Sequence, residues 1–499
     1  MKKLFFIAAI LAFTGITSCK KFLDINKDPD RLPVEVANIA QLLSSATANV
    51  GFTGGSDLQR YTALIMQQYS GQSSGAQNQT QDYEKYLITG SDANNLFSSI
   101  YATTLNDLEV IITKGAAQGA PHYTGVAKLL KAYTYQIAVD TWGDLPYSES
   151  QKQILNLSPK YDDDEQIYKN LITLINEGIS DVSQASSSAS PGTNSLIYPG
   201  SFATTKTNWI KFANTLKLRI YLHYSKFDKA FLTTQMNALI ASGAPFMASN
   251  ADNFEMKFFN ESRRQNPIQQ FEIDRQNYLF ANKTLVDAMN AKSDPRRAFY
   301  FTQFPAGSGN YVGAKAGDAP SQKYSRFHTY LRGAVTNAPV AQADGSYNYN
   351  SIVYAGDAPI RMLTYAEYNF IRAEAALYGV TGDAQTFFQE GIRASMLSAG
   401  VASGDITTYL AANGALTGTN EDKLKRIIEE KYVASFGVVL EPWTDWRRTG
   451  YPPIAPASNA VPTAGGIPRS LFYPQSEVDL NPNAPKQKTN LQERVFWDK

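Results

Sequence analysis

The sequence predicts a mainly α-helical protein in which a helical scaffold supports long irregular loops. Apolar side chains recur at helical spacing in several long segments. Two of these segments follow each other closely and resemble a degenerate tetratricopeptide hairpin. The stretches between the helices are rich in Gly, Ser, Asn and Pro but also contain Tyr and Phe, which disordered linkers tend to lack. We therefore expect ordered loops on a rigid helical body.

The first 18 residues have the pattern of a lipoprotein signal peptide. Lys2 and Lys3 precede an apolar run over residues 4–13, which is too short to span a bilayer as a helix. The run leads to Ile-Thr-Ser-Cys, which resembles the bacterial lipobox and ends at Cys19, the only cysteine of the chain. One cysteine can form neither an internal disulfide nor a Cys-based zinc site. The sequence therefore predicts that Cys19 is lipidated and anchors the protein to a membrane surface.

The segment after Cys19 carries oxygen side chains at the spacing of a calcium loop. Positions 1, 3, 5, 7 and 12 of an EF-hand-like loop are filled by Asp24, Asn26, Asp28, Asp30 and Glu35. Position 6 is Pro29, whose locked φ cannot make the turn that glycine makes there. We expect an extended segment wrapped on the body rather than a calcium site.

Four segments have the apolar spacing of amphipathic helices, and they place the scaffold mainly over residues 98–225 and 360–440. In each segment an apolar side chain returns about every three or four positions, which would form one buried stripe. The stripes are Val126, Leu130, Tyr133 and Ile137; Ile167, Leu171, Leu174 and Ile175; Trp209, Phe212, Leu216 and Ile220; and Ile427, Ile428, Tyr432 and Phe436.

The clearest helix hairpin is predicted between residues 364 and 397. Ala366, Phe370, Ala373 and Leu377 form one stripe, and Gly379 follows it as a terminator. Asp383 then stands where it can cap the next helix, which carries Phe387, Phe388 and Ile392. Small residues between the stripes would allow close approach of the two helices.

The long segments between helices are predicted to hold the ligand side. Residues 70–95, 183–208, 302–358 and 449–486 form these segments, and loops of such length are usually functional or disordered. We expect the ligand-facing loops mainly within residues 50–95 and 250–358, in a single binding domain that spans residues 19–499.

Tyrosines in these loops are the predicted ligand contacts. An aromatic ring offers a flat apolar face to a sugar or a peptide side chain, while neighbouring Gln, Asn and Ser bind polar groups. Each of these tyrosines could instead be a half-buried packing residue. The candidates are Tyr69, Tyr83, Tyr86, Tyr278, Tyr311 and Tyr324.

Charge and motif content exclude several function classes. The chain has 46 basic and 45 acidic residues without long basic runs, which argues against a nucleic-acid partner. Its three histidines, His122, His223 and His328, lie far apart and in no metal-binding spacing. Phosphate loops and dinucleotide fingerprints are absent, and no G-x-S-x-G sequence stands in the strand-to-helix context of a nucleophile elbow. The sequence thus predicts no catalytic residue, no metal and no cofactor.

Carboxylate pairs are the one catalytic device that sequence cannot exclude, because glycosidase pairs are defined by their separation in space. Asp140 with Asp144, or Glu441 with Asp445, could be proposed. The favoured interpretation is structural: Asp144 lies in a Gly-Asp-Leu-Pro turn. Glu441 and Asp445 stand beside Arg447 and Arg448, with which we expect ion pairs. A surface glycoside hydrolase stays open as an alternative.

Seven motifs in register from residue 20 to residue 483 resemble the SusD/RagB family, in particular its SusD-like branch. The motifs, in chain order, are KKFLDINKDPDRLP, AYTYQIAVDTWGDLPYSES, NWIKFANTLKLR, SDPRRAF, PIRMLTYAEYNFIRAEAALYG, IIEEKYVASFGVVLEPWTDWRRTGYP and IPRSLFYPQSEVDLNPN.

The resemblance implies a surface-exposed nutrient-binding lipoprotein of a Gram-negative outer membrane. Its members have four tetratricopeptide-like helix pairs and capture an oligosaccharide, or in some members a peptide, without enzymatic activity. They form a lid over a SusC-like, TonB-dependent barrel, which here would contact the helical face of residues 125–225 and 364–397. Trp443, Asp445, Arg447 and Arg448 would form a buried cluster. Trp142, Trp209 and Trp446 are likewise expected in the scaffold.

Two further alternatives remain beside oligosaccharide capture and the glycoside hydrolase. The first is an oligopeptide-binding member of the same family, and near-neutral charge favours neither ligand. The second is a pure tetratricopeptide scaffold that binds only protein, which would have no concave aromatic pocket on its loop side.

Overall fold

The computed structural model describes residues 37–71, 78–318, 321, 323–341 and 347–499. The predicted lipidation site Cys19 and the calcium-like segment from Asp24 to Glu35 lie outside the described residues. Within the described ranges, the helices are too short or too polar to cross a bilayer.

The first half of the described chain is mostly helical. Its helices are α1 (Ile39–Thr53), α2 (Asp57–Ile65), α3 (Gln79–Glu84), α4 (Ala93–Ser98), α5 (Asn106–Ala117), α6 (Pro121–Trp142), α7 (Asp164–Ser183), α8 (Phe202–His223) and α9 (Lys229–Ala241). A π-helical turn, Ser99–Leu105, joins α4 to α5.

The second half begins with short helices, and longer helices follow from Tyr365. Its helices are α10 (Pro267–Asp274), α11 (Lys283–Ala291), α12 (Arg297–Tyr300), α13 (Thr329–Arg332), α14 (Tyr365–Leu377), α15 (Ala384–Ala399), α16 (Ser403–Asn413), α17 (Asn420–Ala434), α18 (Glu441–Thr449) and α19 (Gln475–Leu480). All four predicted stripes lie on helices, on α6, α7, α8 and α17, although Phe436 falls just beyond α17. The mainly α prediction is confirmed.

Strands are short and occur only as antiparallel pairs among the described residues. They are β1 (Tyr69–Gly71), β2 (Phe254–Met256), β3 (Leu279–Ala281), β4 (Val335–Asn337), β5 (Val340–Ala341), β6 (Tyr347–Asn348), β7 (Val353–Tyr354) and β8 (Ile360–Leu363). β1 pairs with β3 in the register Tyr69 to Ala281, and β4 pairs with β7 in the register Val335 to Tyr354. The β1–β3 pair joins the segment after α2 to the segment before α11, whereas β4 and β7 pair within the loop-rich segment.

Two helix pairs form the centre of the scaffold, and glycines set the distance within each. In the α6–α7 pair, a Cβ on Gly125 would lie 2.6 Å from the backbone nitrogen of Val182, so only glycine fits between the two backbones. In the α14–α15 pair, a Cβ on Gly391 would lie 3.0 Å from the ring of Phe370. Asp383 caps α15 by accepting a hydrogen bond from the Thr386 backbone N–H at 2.7 Å, as predicted.

A buried cluster of charges and aromatic rings joins the C-terminal helices to the scaffold. Trp142, Trp209 and Trp443 are at most 1 % exposed, which confirms their predicted place in the core, while Trp446 is half-buried against it. Asp445 pairs with Arg448 at 2.6 Å, as predicted, and also with Lys431 at 2.9 Å.

The ion pair predicted between Glu441 and Arg447 or Arg448 is wrong. Glu441 begins α18 and faces Arg219 of α8, whose Nε lies 3.3 Å from Oε1. Arg447 instead lies over the rings of Trp443 and Trp497, 3.8 and 4.6 Å from their centroids, and donates to the carbonyls of Asp140 and Arg469.

Candidate ligand-binding cleft

Three of the six predicted tyrosines are core residues. Tyr69, Tyr83 and Tyr86 are 0 %, 5 % and 2 % exposed. Tyr69 packs against the rings of Phe327 and Phe436, at centroid distances of 4.4 and 5.8 Å. The Tyr83 ring meets Tyr61 edge-on, and the Tyr86 hydroxyl accepts the backbone N–H of Ala457. Their rings offer no face to a ligand in this structure, so the prediction for these three is corrected.

The other three tyrosines are half-buried, and one of them lines a cavity. Tyr278 meets Phe271 edge-on, and Tyr324 donates to Asp318 at 3.2 Å and packs against Phe280. Tyr311 lines a cavity of about 300 Å³. The structure therefore does not gather the predicted tyrosines into one site.

Two cavities meet in the loop-rich half of the chain and form one cleft. The first cavity contains Tyr311 together with Phe301, Gln303 and His328. The second cavity, of about 220 Å³, is lined by the following described residues: Gln265, Gln269, Glu272, Ile273, Gln276, Asn277, Arg326, Arg332, Tyr349, Asn350, Ile352, Val353 and Tyr354. Tyr349 and Ile352 line both cavities and form the ridge between them. We call this pair of cavities the cleft.

Tyr349 and Tyr311 provide the aromatic surface of the cleft. Tyr349 lies in a single 3₁₀ turn, Tyr349–Ser351, which the Asn348 side chain caps by accepting the Asn350 N–H at 3.1 Å. The Tyr349 hydroxyl donates to the carbonyl of Gln303, which holds the ring across the cleft. The Tyr311 ring lies 5.2 Å from the Arg297 guanidinium, and its backbone carbonyl accepts the Asn290 amide. Both rings are half-buried, so part of each is available for contact.

Two neighbouring side chains of the cleft hold the guanidinium group of Arg332 in place. Its Nε donates to Gln269 Oε1 at 2.6 Å, and its guanidinium lies 4.1 Å from the centre of the Tyr354 ring. It ends α13, and the chain turns away at Gly333 with φ +84°. A Cβ on Gly333 would collide with Asp357 Oδ1, so this turn requires glycine.

Arg326 and Glu272 share the second cavity with Arg332. Arg326 donates to Asn350 Oδ1 at 2.9 Å and covers the Phe280 ring at 4.6 Å. Burial, with a smaller contribution from the Arg332 charge, lowers the pKa of Arg326 to about 10. Burial raises the pKa of Glu272, although Arg332 and Arg326 oppose the shift. Glu272 Oε2 lies 4.0 Å from Arg332.

His328 and Tyr354 are neutral members of the cleft. His328 Nδ1 and the Tyr354 hydroxyl are hydrogen-bonded at 2.7 Å. Burial, and then the Arg332 charge, lower the pKa of His328 to about 4. Burial also raises the pKa of Tyr354 to about 12. Near neutral pH the pair is therefore a fixed, uncharged polar contact.

Two acceptors in the second cavity have no hydrogen-bond donor within the described part of the chain. They are Glu272 Oε1 and Asn277 Oδ1, both buried from solvent. A buried acceptor without a donor costs about 1–3 kcal/mol.

Sequence reasoning missed most of the cleft. Arg326 and His328 lie in the stretch QKYSRFHTY, in which the prediction selected Tyr324. Tyr349, Gln269 and Glu272 carried no local signal, because they become neighbours only through the tertiary fold. The one available signal was the aromatic and amide-rich composition of residues 302–358.

Three of the four carboxylates that could have formed a catalytic pair lie in the core, and the fourth, Asp144, is partly buried and accepts the backbone N–H of Asp164 at 3.0 Å. Asp140, Glu441 and Asp445 are 0 %, 1 % and 2 % exposed, so they face no open groove. Asp140, His223 and Glu441 bring potential metal-ligand atoms within 4.8 Å of one another. Arg219 lies 3.3 Å and Lys431 3.8 Å from Glu441, and these cations balance its charge and oppose a further one. We interpret the cluster as a buried ion-pair network.

Comparison with known proteins identifies relatives over nearly the whole chain. The family described as SusD-like, "Starch-binding associating with outer membrane", matches residues 31–474. A comparison with curated protein sequences gives no match.

Solved structures share the fold at low sequence identity. A chitin-binding protein is 24% identical with a TM-score of 0.75, over 92% of this chain and 100% of that one. A SusD homologue from Bacteroides fragilis is 23% identical with a TM-score of 0.72, over 92% and 100%. A chitin-binding SusD homologue from Flavobacterium johnsoniae is 20% identical with a TM-score of 0.72, over 92% and 98%.

Proposed function

Because the chain belongs to the SusD-like family, we propose that it captures an oligosaccharide in its cleft and delivers it to a transporter without chemically altering it. The observation that carries this proposal is the ridge of Tyr349 and Ile352 between two cavities, the second of which is lined by five amide side chains: Gln265, Gln269, Gln276, Asn277 and Asn350. Tyrosine faces suit the C–H faces of sugar rings, and amides suit their hydroxyls. The solved relatives named as chitin-binding support a glycan as the ligand class.

The polar groups of the cleft favour a ligand with many hydroxyl groups. Gln265, Gln269 and Gln276 line the second cavity, and a side-chain amide can both donate to and accept from hydroxyl groups. An oligosaccharide presents several hydroxyl groups on each sugar ring, whereas a peptide presents one N–H donor and one C=O acceptor per residue along its backbone. This difference supports the glycan over the peptide alternative.

We further propose that the protein acts at the outer-membrane surface, held by a lipid on Cys19, with a SusC-like TonB-dependent barrel as its partner. The family description, which places its members at the outer membrane, supports the location. The helical face of residues 125–225 and 364–397 is the proposed contact with the barrel. A contact through this face would keep the cleft, which is built from residues 265–354, free to bind the ligand.

The proposal is tested by titration calorimetry of the mature protein in detergent against neutral oligosaccharides, acidic oligosaccharides and a mixed peptide pool. We expect a heat signal with at least one glycan, and we expect that glycan to be recovered intact. Heat with peptides alone would transfer the assignment to the peptide-binding alternative. Recovery of cleaved glycan would contradict a purely binding role.

Replacement of Tyr349 by alanine should weaken glycan binding at least tenfold. Truncation of a central aromatic contact at a binding site costs about 2 kcal/mol or more, and tenfold is about 1.4 kcal/mol. Tyr349→Phe retains the ring and should retain most of the affinity. Phe227→Ala is the matched control, since Phe227 is 44% exposed and lies outside the cleft. Calorimetry measures all four proteins, and equal affinities would refute the role of the ridge.

Replacement of Cys19 by alanine should release the protein from the membrane without changing its fold. The physical reason is that a lipid chain contributes about 0.8 kcal/mol for each buried CH₂ group, and an alanine at this position cannot be acylated. Cell fractionation measures the distribution, and circular dichroism checks the fold. If the variant still co-fractionates with the outer membrane, the lipid is not the main attachment.

A further inference from the structure

The second cavity contains more positive than negative charge among the described residues that line it. Arg326 and Arg332 contribute two guanidinium groups, and Glu272 contributes one carboxylate. All three side chains are largely withdrawn from solvent: Glu272 is 4% and Arg326 7% exposed, and the Arg332 side chain is 12% exposed. Charges at this depth are screened less than surface charges and interact strongly with a ligand.

Neighbouring side chains fix the orientation of both guanidinium groups. Arg332 is held by Gln269 and by the face of Tyr354, and Arg326 by Asn350 and the face of Phe280. A planar guanidinium held over an aromatic ring loses little further freedom when it binds a carboxylate. Pre-orientation of this kind is typical of sites that recognise anions.

From this arrangement we propose that the second cavity binds an anionic group, a carboxylate or a sulfate ester, on the captured oligosaccharide. The inference rests on the proposed function and specifies its ligand class as acidic glycans. Arg332 and Arg326 contact the anionic oxygens, and amide side chains that line the same cavity bind hydroxyl groups of the same or the adjacent sugar.

The division of roles between the two cavities follows from their linings. The described residues that line the first cavity include no Asp, Glu, Lys or Arg, so that cavity takes an uncharged part of the chain. The Tyr349 and Ile352 ridge separates it from the arginines. A glycan with an acidic sugar next to a neutral one therefore matches both cavities.

The test uses pairs of oligosaccharides that differ only in charge. One pair is an oligogalacturonide and its carboxyl-reduced counterpart; the other is a sulfated galacto-oligosaccharide and its desulfated counterpart. Calorimetry of the mature protein in detergent should show the acidic member of at least one pair binding about tenfold tighter or more, as expected for hydrogen bonds to charged groups. The pair that shows the preference distinguishes carboxylate from sulfate.

Arginine variants test whether the arginines cause the preference for the acidic oligosaccharide. Arg332→Gln should reduce the difference in affinity within the pair, with Arg326 accounting for what remains, whereas Arg393→Gln, at an exposed position on α15, should change neither affinity. The preference of the unmodified protein decides the proposal even if a variant fails to fold. If, in both pairs, the acidic member binds no more tightly than its neutral counterpart, the inference is overturned and the proposed function still stands. Absence of binding to every glycan would overturn both.

Discussion

Replacement of Arg219 by methionine should lower the free energy of unfolding by about 3–5 kcal/mol, the usual cost of breaking a buried ion pair from one side. Arg219 is 2% exposed on α8 and binds Glu367 through two hydrogen bonds of 2.8 and 2.7 Å. It also donates to the carbonyl of Met362. Although burial opposes the ionisation of Glu441, Arg219, His223 and Lys431 lower its pKa well below the usual range. Methionine would leave two buried carboxylates without their main cation.

Denaturant unfolding measures this loss, and Arg393→Met on α15 is its control. Arg393 pairs with Glu390 at 3.4 Å, but its side chain is 46% exposed, and exposed pairs contribute about 0–1 kcal/mol. Adding Glu367→Gln to Arg219→Met should restore part of the lost stability, because one uncompensated charge disappears. If Arg219→Met costs no more than Arg393→Met, the network does not stabilise the scaffold.

Replacement of Lys488 by methionine should remove a large pH dependence of stability. Lys488 is 7% exposed and donates to the carbonyl of Trp142 and the hydroxyl of Ser470. Burial, and to a lesser degree the Arg447 charge, lower its pKa to about 7, against attraction from Glu493, Asp144 and Asp164. In the unfolded chain a lysine keeps its proton up to about pH 10.4.

The sign of the effect follows from proton binding. Between about pH 7 and about pH 10 the unfolded chain binds one more proton at Lys488 than the folded protein, so a rise in pH favours folding. The stability of the unmodified protein relative to Lys488→Met should increase by about 3 kcal/mol from pH 7 to pH 9.5. Urea unfolding at several pH values measures the stability of both proteins. The difference in stability between the two proteins isolates Lys488, because the contributions of other titrating groups cancel. Parallel pH profiles for the two proteins would show that Lys488 stays charged in the core.

The scaffold could be predicted from sequence because its signals are local. A stripe such as Val126, Leu130, Tyr133 and Ile137 depends only on helical periodicity, and a cap such as Asp383 on its immediate neighbours. The Asp445 to Arg448 pair was predictable for the same reason, since three residues along a helix are neighbours. Glu441 was not, because its partner Arg219 is brought to it from another helix.

The cleft could be predicted only as a region. Residues 302–358 had the composition of ordered, aromatic loops, and both cavities draw on them. The individual tyrosines were misjudged because burial depends on distant pairing: β1 pairs with β3, and Tyr69 is covered by Phe327 and Phe436. In the same way, Glu272 and Arg332 meet through the packing of α10 and α13 and not through any spacing in the sequence.

The location of the bound ligand is the most direct test of this account. The measurement is a crystal structure of the protein with the oligosaccharide that binds it most tightly in calorimetry. We predict sugar rings on both sides of Tyr349, with one ring against Tyr311 and an anionic group within hydrogen-bonding distance of Arg332. Sugar bound anywhere outside the two joined cavities would contradict the assignment of the cleft.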